Sequence, residues 1–263
     1  MEANAAPPVL GLSVVIITKN EARNIRACLE SVLFADEIIV VDSGSLDGTV
    51  EIARSLGAHV HHYDDWPGFG PQKNRALDRV TQPWVFSIDA DERVTPALQI
   101  EIIQTLRHPI ATAYKVPRLS EFCGKPIRHS GWWPDEVLRL FRHDVGRFTD
   151  VAVHEQVRVA GEVATLKSCL LHYPYDDLDA LLVKMNRYSG DAARMMAARG
   201  KRVGIPGVIA HSVWTFVRIY LIRRGFLDGR HGFVLAATAA AGSFFRYSKL
   251  MFLNRAGSAR RKP

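Results

Sequence analysis

Trp84-Val85-Phe86-Ser87-Ile88-Asp89-Ala90-Asp91-Glu92 is the stretch that decides the fold. Its first five residues are short, apolar and lack alternation, which suits a strand buried on both faces. Carboxylates begin where that strand ends. Thr95-Pro96 then opens a helix, with Thr95 as cap and Pro96 in the first turn. The same order occurs twice upstream. Leu12–Thr18 is a β-branched run followed by Lys19-Asn20-Glu21, and Ile25, Cys28, Leu29 and Val32 then fall at helical spacing, with Asn20 as the expected N-cap. Glu37–Asp42 is a second such strand. Ser43-Gly44-Ser45 follows it as a loop, and Asp47 is placed to cap a helix that runs through Leu56 and stops at Gly57. Ala58–His62 reads as another strand, and residues 72–80 as a helix after Gly68-Phe69-Gly70-Pro71.

Strand and helix thus alternate four times in about the first 107 residues, which predicts an α/β fold with a mostly parallel sheet flanked by helices. Such sheets bind ligands beyond the carboxyl ends of their strands. Three polar clusters, Thr18–Glu21, Asp42–Asp47 and Asp89–Glu92, sit at those ends and are expected to face one cleft. Residues 108–175 read differently, as short strands (Ala113–Pro117, Val137–Phe141, Ala164–Leu171) broken by Gly, Pro and aromatic segments. They are expected to complete a catalytic domain over 10–175. From 176 to 263 the chain reads as a helical extension with helices at Leu178–Arg199, Pro206–Arg224 and about Gly229–Asn254.

The charge divides at the same place. Of the net +7 on 263 residues, positions 1–176 carry 18 Lys+Arg against 23 Asp+Glu, and positions 177–263 carry 16 against 4. The basic half is also apolar. Ile205–Ile222 has His211 and Arg218 inside it, residues 232–245 are a shorter apolar stretch, and Arg223, Arg224, Arg230, Arg246, Lys249, Arg255, Arg260, Arg261 and Lys262 surround or follow them. Apolar helices with a cationic fringe suit the headgroup region of an anionic membrane surface. A tail this apolar does not suit a solvated nucleic-acid groove, so no nucleic acid is expected as a partner. The alternative is a helical subdomain packed on the catalytic core. Three scattered cysteines make no disulfide or zinc framework and fit a reducing compartment, and no signal peptide is recognisable before Leu10. The expected location is therefore cytoplasmic, peripheral at the inner face of the cytoplasmic membrane.

The clusters suggest a chemistry. Asp89 and Asp91, two apart at a strand end, can both reach one hard divalent cation, Mg²⁺ or Mn²⁺, which also takes diphosphate oxygens. A departing diphosphate gathers negative charge and needs that help. Asp42 is suited to accept from a base N–H or from ribose hydroxyls, with Ser43 beside it. Lys73 and Arg75, at a helix start near the expected cleft, can offset diphosphate charge. Neither the dinucleotide-binding glycine pattern nor a P-loop is present.

Four segments in order, Ser13–Glu21, Val40–Thr49, Gln72–Ala76 and Asp89–Glu92, resemble the nucleotide-binding half of family-2 glycosyltransferases. The resemblance implies the GT-A fold and an inverting transfer from a nucleoside diphosphate sugar, often UDP-linked. It also implies that Thr18, Glu21 and Asp42 hold the nucleoside, that Asp89 touches the nucleotide, and that Asp91 binds the metal; Asn20, Ser43 and Lys73, in the same clusters, are expected to join them in holding the nucleotide sugar. Phe69–Asn74, Leu138–Arg142, Val153-His154-Glu155 and Gly225–Gly229 resemble, further, the bacterial lipopolysaccharide-core β-glucosyltransferase branch.

An inverting transferase needs a general base for the acceptor hydroxyl. Family members commonly take it from a Glu-Asp pair. This chain has Trp133-Pro134-Asp135-Glu136, which makes Asp135 the expected base and Glu136 the second candidate. Arg139 and Arg142 are expected to meet phosphates or a phosphorylated acceptor. His154-Glu155 is a candidate for metal ligation or for ordering the site. Trp132 and Trp133 offer flat apolar faces to a sugar, with core packing as the rival role. The expected reaction moves glucose from a UDP-sugar to a lipid-linked saccharide such as lipopolysaccharide inner core. The alternatives are transfer to a polyprenyl phosphate or another surface glycan, and a non-catalytic, membrane-associated nucleotide-sugar binding protein.

Overall fold

The computed structural model describes residues 10–149, 156–175 and 177–259, with side chains through Asn254. The chain forms two compact units. The first comprises the residues up to Arg118 together with Asp135–His172. The second comprises Leu119–Pro134 together with the chain from Tyr173 onward. The expected division is at 175/176, and the second compact unit takes up the chain from Tyr173. That division misses the excursion 119–134, which belongs with the last helices.

The first unit is built on a sheet. Its opening strands are β1 (Leu12–Thr18), β2 (Glu37–Asp42), β3 (His59–His62) and β4 (Trp84–Ser87), in the parallel order β3-β2-β1-β4. The helices between them are α1 (Ile25–Glu30), α2 (Thr49–Ser55) and α3 (Phe69–Leu77). After β4 come β5 (Glu92–Val94) and α4 (Pro96–Arg107), whose cap Thr95 accepts from the Leu98 N–H at 3.1 Å as expected. β6 (Ala113–Phe122) carries the chain into the second unit, where β7 (Lys125–Pro126) folds back on it. β8 (Asp135–Arg142) returns antiparallel to both β4 and β6. β9 (Gly146–Phe148) and β10 (Val157–Val159) form a separate hairpin, and β11 (Val163–Thr165) runs parallel to β6. β12 (Leu170–His172) pairs with β5 at the far edge, giving a mixed sheet with a parallel core.

The central strands show why their sequences lack alternation. Val14, Ile16, Val40 and Phe86 face a core shared with α1, α2 and α4, while Val15, Ile39, Val41 and Val85 face another that contains Ala76 and Leu77 of α3. Both faces are buried, so both residue parities are apolar. Truncating a side chain such as Phe86, which is fully buried, costs about 3–5 kcal/mol.

Two local expectations need correction. Asn20 caps no helix: α1 begins at Ile25, with Asn24 in the cap position. Asn20 instead has φ 57°, a left-handed conformation that asparagine tolerates. β5 escaped the sequence reading because three residues following a turn carry too little periodicity to register as a strand.

In the second unit, α5 (Leu178–Ala198), α6 (Ile205–Val217) and α7 (Arg230–Ala259) follow one another, with α7 packed against both of the others. A π-helical turn, Arg218–Ile222, extends α6, and a 3₁₀ turn, Gly225–Asp228, leads into α7. Phe122, Ile127, Leu181 and Leu235 form the core here, with Trp132 and Tyr175 packed against it.

Candidate active site

Two of the three strand-end clusters are laced together by hydrogen bonds. The Asn20 N–H donates to Ser45 Oγ at 2.8 Å, and Asn20 Oδ1 accepts from the Leu46 N–H at 2.8 Å. Glu21 N–H donates to Thr49 Oγ1, and Ala22 N–H to Asp47 Oδ2. Asp47 thus ties two loops together as well as bonding to Thr49 at the start of α2. Asn20, expected to touch the nucleotide sugar, spends its amide oxygen on the neighbouring loop.

Asp42 sits at the centre of this lacing and is buried. Its Oδ2 accepts from the Gly44 and Ser45 N–H groups at 3.0 and 2.9 Å. Its Oδ1 accepts from Thr18 Oγ1 at 3.2 Å and from Ser45 Oγ. Burial alone would raise its pKa, but these donors outweigh burial and hold the carboxyl below the usual range. Ser43, also buried, accepts from Gln72 Nε2 at 2.8 Å, which anchors α3 to the same loop. His62, which sequence reasoning missed, bridges Asp42 Oδ2 at 3.2 Å and Asp64 Oδ1 at 2.8 Å. Hydrogen bonds to Asp64 and then Asp42 raise its pKa. The parallel register places His62 beside Asp42, a signal available only once β2 and β3 are paired.

The third cluster is organised by alternating charge. Lys73 Nζ of α3 lies 3.0 Å from Asp89 Oδ1, and Arg139 Nη2 of β8 lies 2.6 Å from Asp89 Oδ2. The same Arg139 nitrogen is 2.5 Å from Glu92 Oε1. Arg118 Nη1 of β6 reaches that oxygen at 3.2 Å, and Arg118 Nε and Nη2 hold Asp135 Oδ2 at 2.9 and 2.7 Å. Glu92 Oε2 accepts from the Asp89 N–H at 2.9 Å. Three cations and three carboxylates, supplied by four elements and a loop, therefore form one connected network from Lys73 to Asp135. Burial opposes ionisation of Asp89, yet Arg139 and then Lys73 outweigh it and hold the carboxyl well below its usual range. Burial opposes the charge of Arg139 likewise, and Asp89 and Glu92 push its pKa up.

A β-bulge delivers Arg139 to this network. Tyr114 pairs with Leu140 and Lys115 with Leu138, so Arg139 is the extra residue on β8. Bulges re-aim side chains in this way beside functional sites.

These positions change several expected roles. Both oxygens of Asp89, expected to share a metal with Asp91, are held by cations here, Oδ1 by Lys73 and Oδ2 by Arg139. Arg139, whose side chain is 6% exposed, meets carboxylates within the protein rather than acceptor phosphates. Lys73, equally buried, reaches Asp89. Arg142 lies outside the site. It pairs in register with Trp84, at the start of β4 rather than its carboxyl end, and its guanidinium holds Asp144 at 3.0 Å. Glu136 is next to Asp135 and so turns to the other face of β8, 4.0 Å from Lys115 Nζ. Trp132 packs with Phe122 and Tyr175 at 6.2 Å from each, and the Trp133 ring centre lies 5.8 Å from the Arg128 guanidinium carbon. His154 and Glu155 lie outside the described residues.

Asp91 is different. It is as exposed as Asp89, 31% against 32%, but what stands against it is an imidazole, His172 Nε2 of β12, 3.4 Å from its Oδ2. Sequence reasoning missed His172, which β12–β5 pairing brings opposite Glu92. Among the described residues no group of three or more His, Cys, Asp or Glu forms a ready-made metal cage. One carboxylate with one imidazole still fits Mg²⁺ or Mn²⁺ at a nucleotide site, where few protein ligands combine with substrate phosphates and water.

The glycosyl transferase family 2 model matches residues 13–153, which include β1–β4, the clamped Asp89 and Asp135. The chain belongs to that family. LpsC of Rhizobium meliloti (strain 1021), a lipopolysaccharide core biosynthesis glycosyltransferase, is 33% identical over 92% of this chain and 93% of its own length. An uncharacterized glycosyltransferase of Rickettsia bellii (strain RML369-C) is 33% identical over 92% of this chain and 87% of its own. Among solved structures, S. aureus TarS 1-349 in complex with UDP is similar at 15% identity and a TM-score of 0.49, over 94% of this chain and 91% of that one. By its family and by these relatives the protein is a glycosyltransferase.

Proposed function

We propose that this glycosyltransferase moves a hexose, glucose, with inversion from UDP-glucose to a lipid-linked saccharide of the lipopolysaccharide inner-core kind. The observation that carries the reading is the charge network that ends on Asp135. It fixes one carboxylate, Asp89, between two cations at the end of β4 and leaves two others, Asp91 and Asp135, accessible for different tasks. Asp42 and Thr18, in the laced loops, are the groups for the nucleoside. Asp135, 41% exposed and gripped by Arg118 through Oδ2 alone, keeps a carboxylate oxygen with which to accept the proton of the attacking hydroxyl. Asp91 with His172 would hold a divalent cation, which supplies charge neutralisation at the departing diphosphate. Similarity to LpsC along nearly the whole chain supports the acceptor class.

The test is a transfer assay with UDP-glucose, Mg²⁺ or Mn²⁺, and a heptose-bearing inner-core acceptor, with the product anomer assigned by NMR. A β-linked glucoside is expected. An α-linked product would overturn inversion. Transfer to a polyprenyl phosphate instead would overturn the acceptor, and donor hydrolysis without any transfer would overturn both.

A further inference from the structure

The second unit exposes what a water-facing helical bundle would bury. Ile205–Ile222, comprising α6 and its π-helical turn, is long and apolar enough to cross a membrane, yet only 6% of it is buried. At about 100° per residue, Val208, Ser212, Thr215 and Ile219 form one narrow stripe. That stripe faces α7, since Val208 is the buried residue and Ser212 Oγ bonds to the Ala240 carbonyl at 2.8 Å. Ile205, Ile209, Val213 and Trp214 lie outside it and are all exposed. His211 and Arg218 fall on the far side of this apolar arc, where His211 stacks on Tyr247 at 4.0 Å. A helix with one packed stripe, one broad apolar arc and one polar edge is suited to lie in an interface. A spanning helix would carry the exposed Arg218 into hydrocarbon, which is costly.

The turn after this helix adds charge. Arg223-Arg224-Gly225-Phe226-Leu227-Asp228-Gly229-Arg230 exposes three arginines around two exposed apolar side chains, Phe226 and Leu227. The turn is pinned from beneath. The buried Asp228 carboxylate accepts from the Arg128 and His129 N–H groups at 3.3 and 3.1 Å and from Ser130 Oγ at 3.1 Å, and Lys125 Nζ donates to the Asp228 carbonyl at 2.8 Å. Gly225 and Gly232 pass so closely that a Cβ on Gly232 would stand 1.8 Å from the Gly225 carbonyl oxygen. An exposed pair of apolar side chains is thereby held in a fixed posture between cations.

We propose that the apolar arc of α6 and the Arg223–Arg230 turn seat this chain on the anionic cytoplasmic leaflet of a phospholipid bilayer, with α6 lying in the plane of the headgroups. The excess of 16 Lys+Arg over 4 Asp+Glu in residues 177–263 complements such a surface. The inference stands independently of donor and acceptor.

Flotation of the full chain with lipid vesicles tests it. Co-flotation with phosphatidylcholine–phosphatidylglycerol vesicles at low ionic strength is expected, with little on phosphatidylcholine alone, and alkaline carbonate should strip the protein off. I209D combined with V213D should abolish flotation. Both side chains are exposed, so circular dichroism should be unchanged. R223A combined with R224A should weaken partitioning about thirty-fold, at ~1 kcal/mol per arginine. Absence of flotation on anionic vesicles would overturn the proposal, as would flotation that I209D/V213D leaves intact. Resistance to carbonate would mean a spanning helix and overturn the in-plane seating. Binding to an oligonucleotide that anionic vesicles fail to displace would assign the basic surface to nucleic acid instead.

Discussion

The two units of this chain treat charge in opposite ways. In the first, Lys73, Arg118 and Arg139 are matched within the protein by Asp89, Glu92 and Asp135. In the second, Arg223, Arg224 and Arg230 stand exposed on a surface with few carboxylates, beside apolar side chains that are also exposed. Matched, buried charge fixes geometry to fractions of an ångström, as a reaction requires. Unmatched, exposed charge next to apolar surface has its partner elsewhere. On the readings proposed above, the contrast separates a region for chemistry from one for docking.

Four perturbations break or sharpen that contrast, in descending order of effect. Asp135→Asn should lower transfer by two to four orders of magnitude while UDP-glucose affinity is unchanged, measured by steady-state kinetics and calorimetry. Arg139→Met leaves Asp89 with Lys73 and Glu92 with Arg118 but removes the cation they share, and should cost about 3 kcal/mol in denaturant unfolding. Asp228→Ala removes the acceptor of several hydrogen bonds in the second unit and should cost roughly 2–3 kcal/mol. Its unfolding should be compared with that of Arg139→Met by hydrogen exchange, which should place the loss in the second unit for Asp228 and in the first for Arg139. Arg142→Ala, at the far end of β8 with an exposed partner, should leave both the unfolding midpoint and kcat/KM unchanged.

The parallel core was legible because its strands are buried on both faces and end in polar clusters. Asp42, Asp89 and Asp91 could be located from that alone. What joins them could not. Arg139 looked like a phosphate ligand because nothing local in Leu138-Arg139-Leu140 announces the bulge that aims it at Asp89 and Glu92. Arg118, His62 and His172 escaped notice because each gains meaning only from a strand pairing: β6 with β8, β2 with β3, and β5 with β12. Arg142, two positions after the general region of the site, seemed near in sequence. Antiparallel return of β8 carries it to the start of β4, the end of the strands opposite the site. The excursion 119–134 defeated the domain boundary for a similar reason, since β6 passes between units without any break in its strand pattern.

The central claim is that Asp91, alone of the paired carboxylates after β4, serves a cation that the donor diphosphate shares. Calorimetric titration of UDP-glucose into the wild-type chain and into Asp91→Ala, each with and without Mn²⁺, tests it most directly. Wild-type binding should tighten at least ten-fold on adding Mn²⁺, and Asp91→Ala should bind alike in both conditions. Equal Mn²⁺ dependence in the two proteins would contradict the assignment.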